Sequence, residues 1–391
     1  MHIDVNNAFL SWTAVKLLYE GSKVDIRKIE AVIGGDESAR HGIVLAKSPV
    51  AKARGVKTAE TLMSARRKCN NLKVFPPDFR WYKFMSNKMF SIIRKYSPDI
   101  EILSIDECFL DYTKVHSLYG DPIKFAYHLK KEILDTLKFT VNIGIANNKL
   151  CAKMASDFKK PNRVHTLFQN EIEEKMFPLD VGDLYGVGKK TTEKLKELNI
   201  NTISDLAHTD FNYLYKFFKN QATYLVEKAN GIDDSPVIVV PLERKGISNS
   251  STYSYNLTNI EDIYDKLYRL TDNVCAQLRK KNKYAKVVGV TLRDKTFNNH
   301  SHQKKLITAT NNTEEIFSVA KQLVNEIWDE EPIRLIRISL NKLTDSVNHQ
   351  LSMFENYHAK DSSDKLEKIM DKLKEQYGDN IINKASINRK K

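Results

Sequence analysis

The sequence predicts an α+β multidomain chain: a ferredoxin-like unit carrying an insertion, an all-α unit, and a second α+β unit built on a four-stranded sheet. Three observations lead there. Up to residue 167 the segments read strand, helix, strand pair, helix and strand, the order of a ferredoxin-like sheet, with residues 11–77 inserted after the first strand. From 168 to 233 the apolar spacing is helical throughout, and beyond 244 four strand-like runs alternate with two amphipathic helices.

The elements follow in order. Met1–Val5 is a short apolar strand, and the insertion holds a helix at Ser11–Tyr19, strands near Ala31–Val32 and Gly42–Ala46, and a helix ending near Cys69. Pro76-Pro77 closes it, since neither proline can continue a helix. A helix at Tyr82–Tyr96, two strands flanking Ser104–Glu107, a helix at Ile123–Leu137, the strand Phe139–Ile145 and the helix Asn148–Phe158 complete the first unit. Pro236 and Pro241 bracket Val237–Val240, a β-branched run suited to a tether that packs along its neighbours. In the last unit strands are expected at Lys245–Leu257, Lys286–Asp294, Lys304–Thr310 and Arg334–Leu343. Ile260 through Leu278 and Glu314 through Trp328 form the helices, and a charged helix runs from Asp364 to Tyr377.

Composition narrows the partners. The chain has 391 residues, 62 Lys+Arg against 49 Asp+Glu, a formal net charge of +13 and a pI near 9.2, which favours a polyanion. No run reaches the ~18 apolar residues of a membrane span, and a cytoplasmic protein with no membrane partner is expected. Cys69, Cys108, Cys151 and Cys275 form no CxxC pair and read as buried free thiols; His300 and His302 lack the surrounding ligands of a metal site.

The chemistry rests on carboxylates. Asp4 ends the first strand, and Asp106 and Glu107 are adjacent between two later strands that neighbour it in a ferredoxin-like sheet. Adjacent strand residues face opposite ways, so both can serve one site only at a turn or strand end, which Ser104 permits. Three converging carboxylates repel unless cations lie between them, and all-oxygen ligation suits Mg²⁺ on substrate phosphates. Asp111 reads as a structural partner of a nearby base.

Asp4-Val5-Asn6-Asn7-Ala8-Phe9, Tyr96-Ser97-Pro98, Ser104-Ile105-Asp106-Glu107, Asn142 to Lys149 and Lys160-Pro161-Asn162 stand in this order and spacing. They resemble the Y-family (translesion) DNA polymerases of the bacterial polymerase IV type, which carry a UmuC domain, and the likeness spans residues 1–354. It implies a palm at 1–10 and 78–167, fingers at 11–77, a helix-hairpin-helix thumb at 168–233, a linker at 234–243, a little finger at 244–345 and a tail at 346–391. It further implies low-fidelity, template-directed extension of a primer 3′-hydroxyl by dNTPs, two Mg²⁺ ions, no proofreading unit, and a monomer acting on primer-template DNA. Asp4, Asp106 and Glu107 become the catalytic metal-binding carboxylates, with the Val5 carbonyl a further ligand. Phe9 becomes a steric gate that leaves no room for a 2′-hydroxyl. Ser48, Lys52 and Lys160 fall at the triphosphate. Here the sequence departs from many relatives: Pro49 and Lys52 replace a Tyr and an Arg, so a point charge stands where a forked donor is usual.

Around Gly186 and Gly188 the thumb motif turns backbone amides toward a phosphate, with Lys189 and Lys190 adding charge. Val288, Val290 and Leu292 alternate with Gly289, Thr291 and Arg293, and Ile336, Ile338 and Leu340 alternate with Arg337, Ser339 and Asn341. One sheet face is therefore apolar and the other polar and basic, able to lie along duplex backbone with help from Arg279-Lys280-Lys281 and Lys283. Gln350-Leu351-Ser352-Met353-Phe354 resembles a peptide that docks on a sliding clamp through its apolar anchors, with the charged helix beyond Asp364 contributing little. Gly34-Gly35-Asp36-Glu37 imitates a nucleotide-cyclase motif but lies in the insertion. The competing readings are a cyclase-like nucleotidyl enzyme and an inactive DNA-binding relative; the presence of all three carboxylates counts against the latter.

Overall fold

A computed structural model describes residues 1–38, 42–240, 243–346, 357–378 and 381, with only the backbone described for 357–365. It divides into two compact units, the first built from Met1–Glu37 and His41–Pro241, the second from Ser38–Arg40 and Leu242–Lys391.

The first unit contains β1 (His2–Val5), β2 (Ala31–Gly34), β3 (Val44–Lys47), β4 (Lys73–Phe75), β5 (Ile100–Ile102), β6 (Glu107–Leu110), β7 (Val141–Ile145) and β8 (Val164–Thr166). Its main sheet has the order β5-β6-β1-β7-β8, and the first four of these are the antiparallel ferredoxin-like arrangement expected. The fifth, β8, pairs parallel to β7 and was not anticipated. Helices Phe79–Arg94 and Pro122–Leu137 supply Tyr82, Met89, Ile93, Leu129 and Ile133 to the core against this sheet. Asn7, left-handed at φ 52°, turns the chain straight from β1 into the helix Ala8–Tyr19, three residues earlier than the apolar spacing suggested.

The insertion folds on a three-stranded sheet, β3-β2-β4. An unexpected short helix, Pro49–Ala53, begins there because Ser48 accepts from the Ala51 N–H and Pro49 occupies the first helical position, where no N–H is needed. Gly34 closes β2 beneath Leu62, so the cyclase-like tetrapeptide is an ordinary turn with Glu37 paired to Arg66 at 3.4 Å. Four longer helices, Lys189–Glu197, Ile203–His208, Phe211–Phe218 and Gln221–Ala229, enclose Leu195, Ile203, Leu206, Leu214 and Leu225 as the all-α part. The tether follows its neighbours: the Ile238 N–H donates to Glu101 Oε2 at 2.8 Å, and Lys149 Nζ donates to the Pro236 carbonyl at 3.1 Å.

The second unit is a four-stranded antiparallel sheet, formed from β9 (Gly246–Leu257), β10 (Tyr284–Asp294), β11 (Asn299–Thr310) and β12 (Ile333–Thr344) in the order β11-β10-β12-β9. The helices Ile260–Lys280 and Thr313–Ile327 cover its apolar face, where Val288, Val290, Leu292, Ile336, Ile338 and Leu340 are buried as their alternation required. A further helix, Tyr357–Tyr377, starts seven residues before the expected Asp364. All four cysteines are free and buried, and no helix among the described residues is long and apolar enough to cross a membrane.

Candidate active site

Strand register brings the carboxylates together. Asp4 on β1 lies opposite Glu107 on β6, and the Val5 N–H donates to the Asp106 carbonyl at 3.0 Å. Asp106 stands in the turn just before β6 begins, so the alternation that would separate it from Glu107 has not started. Its carboxylate accepts from Ser104 Oγ at 2.6 Å. Burial, with the like charges of Asp4 and Glu107, raises the Asp106 pKa above the ordinary carboxylate value.

Two lysines that close over this acidic edge come from the helix Lys149–Asp157 and the turn after it. Lys153 Nζ lies 2.8 Å from Glu107 Oε2, 3.6 Å from Asp4 Oδ2 and 3.4 Å from Asp157. Lys160 Nζ lies 2.9 Å from Asp4 Oδ1 and 2.8 Å from Asp157 Oδ1. Burial acts to lower both lysine pKa values, yet the surrounding carboxylates hold them above the usual amine range. Beneath Glu107, fully buried His2 has Nδ1 2.8 Å from Ser156 Oγ and Nε2 3.3 Å from Glu107 Oε2. His2 first, then Lys153, draws the Glu107 pKa down to about 2.

The helix sits this close because of Gly144. A Cβ there would lie 2.0 Å from the Ala152 carbonyl and 2.6 Å from the Ser156 N, so only glycine lets the helix reach Glu107 from β7. Buried Asn142 donates to the Ser156 and Lys159 carbonyls at 3.0 and 2.9 Å, while Asn6 Oδ1 accepts from the Asn162 N–H at 2.7 Å; together they seat the Lys160 turn. Lys153, His2 and Ser156 were given no role from the sequence, and Asn6 and Asn142 appeared there only inside the quoted motifs, with no role of their own.

The donor set fits a hard cation: Asp4, Asp106, Glu107 and the Val5 carbonyl offer only oxygen. No three His, Cys, Asp or Glu side chains among the described residues are gathered at metal-binding distance; Glu107 and Asp4 are ion-paired to Lys153 and Lys160.

Phe9 is half-buried at the start of its helix, stacked on Tyr82 at 4.7 Å and 8° and set edge-on to Phe79 at 5.9 Å. Lys52 is exposed. Ser48 corrects an expectation: it is fully buried, donates to the Ile29 carbonyl at 2.6 Å and accepts from the Ala31 and Ala51 N–H groups, so its hydroxyl is consumed by the fold. Asp111 accepts from the Thr113 N–H at 2.9 Å, and its charge favours the protonated forms of Lys114 and the Met1 amine, the structural place beside a base that was expected. Gly186 has φ 95° with Tyr224 Oη 2.5 Å from where a Cβ would stand, and Gly188 caps the helix that exposes Lys189 and Lys190.

On the polar face of the second unit's sheet, Gly289 lies opposite Ser339 and Thr291 opposite Arg337, with Arg337 donating to Ser248 Oγ at 3.2 Å and Arg293 to Asn299 Oδ1 at 2.8 Å. The basic run beside it is not free as expected. Arg279 is buried on Glu367 and Asp371, Lys280 pairs with Glu375 at 2.6 Å, and Lys283 with Glu243 and Asp345 at 3.1 and 2.5 Å. His300 and His302 face Asp294 at 3.3 Å and Glu326 at 2.7 Å in separate pairs. Residues 350–354 lie outside the described residues.

The impB/mucB/samB family matches residues 3–157, its C-terminal domain residues 244–353, and the IMS family HHH motif residues 170–200. A Y-family DNA polymerase chimera of Dbh and Dpo4 shares the fold at 24% identity with a TM-score of 0.77, covering 88% of this chain and 99% of its own. DinB from Sulfolobus solfataricus follows at 25% identity and TM-score 0.56, covering 87% and 97%. A ferredoxin-like sheet with clustered carboxylates in this setting defines a polymerase of the Y-family class. DNA polymerase IV of Clostridium acetobutylicum is 45% identical over 99% of this chain and 97% of its own length, and DNA polymerase IV 1 of Bacillus subtilis is 33% identical over 100% and 93%. The chain belongs to the DNA polymerase IV family, and it is a DNA-directed DNA polymerase that carries out template-directed translesion synthesis. Membership implies dependence on a divalent metal.

Proposed function

We propose that Asp4, Asp106 and Glu107, with the Val5 carbonyl, hold two Mg²⁺ ions, and that this site joins an incoming dNTP to the primer 3′-hydroxyl. The observation that carries this reading is the acid-rich strand edge, where Asp4 faces Glu107 and the Asp106 turn adjoins both. When bound, two such ions activate the 3′-hydroxyl and neutralise the charge developing on the leaving pyrophosphate. The chain's own groups do the rest. Lys160 and Lys153, now ion-paired to the carboxylates, are point charges free to turn to the triphosphate once cations replace them, and Lys52 adds a third. His2 and Ser156 hold Glu107 from behind. Phe9, braced by Tyr82, excludes a 2′-hydroxyl.

In this reading residues 1–10 and 78–167 are the palm, 11–77 the fingers, 168–233 the thumb, 234–243 the linker, 244–345 the little finger and 346–391 the tail. The Gly186–Gly188 turn with Lys189 and Lys190 meets the primer-template backbone, as does the face bearing Arg293, Arg337 and Ser339; such contacts carry no sequence information. The protein acts as a cytoplasmic monomer, and Gln350–Phe354 engages the sliding clamp. Solved relatives include a ternary complex of Dbh and an insertion ternary complex of Dbh DNA polymerase, which supports a site that takes nucleic acid and nucleotide together.

Primer extension with each nucleotide singly tests the reading. The wild-type protein should add the dNTP complementary to the template in Mg²⁺, Phe9→Ala should also add the ribonucleotide, and Asp106→Ala should add nothing while binding primer-template normally. Near-normal extension by Asp106→Ala would sink the assignment.

A further inference from the structure

Strand β3 in the insertion carries a charge that the fold leaves unanswered. Its residues alternate: Val44 and Ala46 are buried, while Leu45 and Lys47 are half-buried and share the opposite face. Leu45 and Phe9 pack against the same buried cluster, which includes Leu10 and Ile33, so the strand runs beside the helix that bears the gate ring. At the strand's end Asn7 Nδ2 donates to the Lys47 carbonyl at 2.5 Å. That bond fastens Lys47 to the left-handed turn that follows Asp4 and Val5.

The paired acids of the insertion serve other cations. Arg54 holds Glu30 at 3.0 Å, Arg66 holds Glu37 at 3.4 Å, and Glu60 is bound by Lys68, the Ser64 hydroxyl and the Lys57 N–H. Lys47 Nζ donates to the Thr58 hydroxyl at 2.8 Å, and among the described residues no carboxylate pairs with it or with Lys52. Burial, and then the like charge of Lys52, lowers the Lys47 pKa from the usual amine value, although Glu60 opposes this. Two ammonium groups that disfavour each other, neither paired to a carboxylate, cost free energy until an anion joins them.

We infer that Lys47 is a further triphosphate-binding residue, which with Lys52 forms a two-point seat for the phosphates of the incoming dNTP. The inference rests on the triphosphate lying at Lys52 and Lys160, as proposed above. A guanidinium presents its donors in a rigid plane, whereas an ammonium is a point charge, so Lys52 alone supplies a single point. A polyphosphate carries several anionic oxygens. Two lysines set apart can each bind one, and their mutual repulsion gives way to attraction for what lies between them. The bond to the turn after Asp4 puts Lys47 on the phosphate side of the site, since a cation held by Asp4 bridges phosphate oxygens. A nucleobase, being neutral, offers nothing that offsets two cations.

The test is single-nucleotide extension by the full-length protein and by Lys47→Met, which keeps an apolar stem and removes the charge. KM should rise about tenfold for each of the four dNTPs, the scale of one charge-assisted hydrogen bond, with primer-template Kd unchanged. Inorganic tripolyphosphate has neither base nor sugar. It should compete with dNTP on the wild-type protein and inhibit Lys47→Met about tenfold more weakly. Lys47→Arg should restore both values, which separates loss of charge from loss of fold. An unchanged KM in Lys47→Met overturns the inference. So does a rise confined to particular bases with tripolyphosphate inhibition intact, which would assign Lys47 to the nucleobase or the template. Lys160→Ala tests the underlying reading alongside: if it raises KM and Lys47→Met does not, only Lys47 is misassigned, and if neither does, the triphosphate does not lie where Lys52 and Lys160 stand.

Discussion

Lys153 in the first unit and Arg279 in the second each sit between carboxylates, with side chains 12% and 5% exposed, yet the two clusters are built to different ends. Around Lys153 and Lys160, three carboxylates (Asp4, Glu107 and Asp157) share two ammonium groups, while Asp106 beside them accepts from the Ser104 hydroxyl. The lysines are point charges on flexible stems that a metal ion can displace. Arg279 instead uses its planar fork in three charge-assisted bonds to Glu367 and Asp371, backed by the Asn311 carbonyl and Thr313 Oγ1. Under the proposed function, the acid excess of the first cluster is where divalent ions would bind, whereas a satisfied guanidinium fork serves to fix a helix.

The largest expected effect belongs to Asp106. Asp106→Asn should lower extension by ~10³-fold or more, the scale of losing a group that stabilises charge in the transition state. It should also raise the melting temperature in EDTA, because it removes a charge that burial, Asp4 and Glu107 all disfavour. A lower melting temperature would mean that this cluster is structural like the other.

Next is Arg279→Ala, which strands Glu367 and Asp371. The docked helix should lose about 3–5 kcal/mol, read as fast hydrogen exchange across 357–377, with extension of bare primer-template unchanged. If extension falls in parallel, the two clusters are not separable.

Acid should reveal the first cluster specifically. Glu107 has a folded pKa near 2 against an ordinary 4.5, so its contribution is complete above pH 4.5 and is lost as pH falls toward 2. That is about 3 kcal/mol at most. Burial depresses the His2 pKa, so protonation of the unfolded chain adds destabilisation in the same direction, beginning below pH 6.5. Glu107→Gln should flatten acid unfolding in EDTA between pH 4.5 and 2; an unchanged profile would assign the acid lability elsewhere.

On bare DNA the smallest effect belongs to the tail. Replacing Leu351, Met353 and Phe354 by Ala should shorten products only when clamp is loaded, since tethering acts through effective concentration. Arg279→Ala should leave that clamp response intact, and equal responses of the triple variant and the wild-type protein would make the peptide a coincidence.

Much of this was readable along the chain, because the signals are local. Period-two alternation announced β10 and β12, period 3.6 the helices over 260–280 and 313–327, and the Ser104–Glu107 segment a turn able to aim neighbouring carboxylates one way. What only the tertiary structure decided depends on close approach between distant segments. Three-residue strands such as β4 and β8 are too short to carry a period and exist because a neighbour offers an edge. Gly144 has no local signature, yet its missing Cβ lets Lys153 and Ser156 reach Glu107 and His2. Ser48 and Arg279 read as groups awaiting phosphate, and each proved to be spent inside the fold, one on backbone and one on the C-terminal helix. A polar side chain's type states what it can bind, but which partner it binds is a question of distance, and distances across the sheet and between helices exist only once the chain has folded.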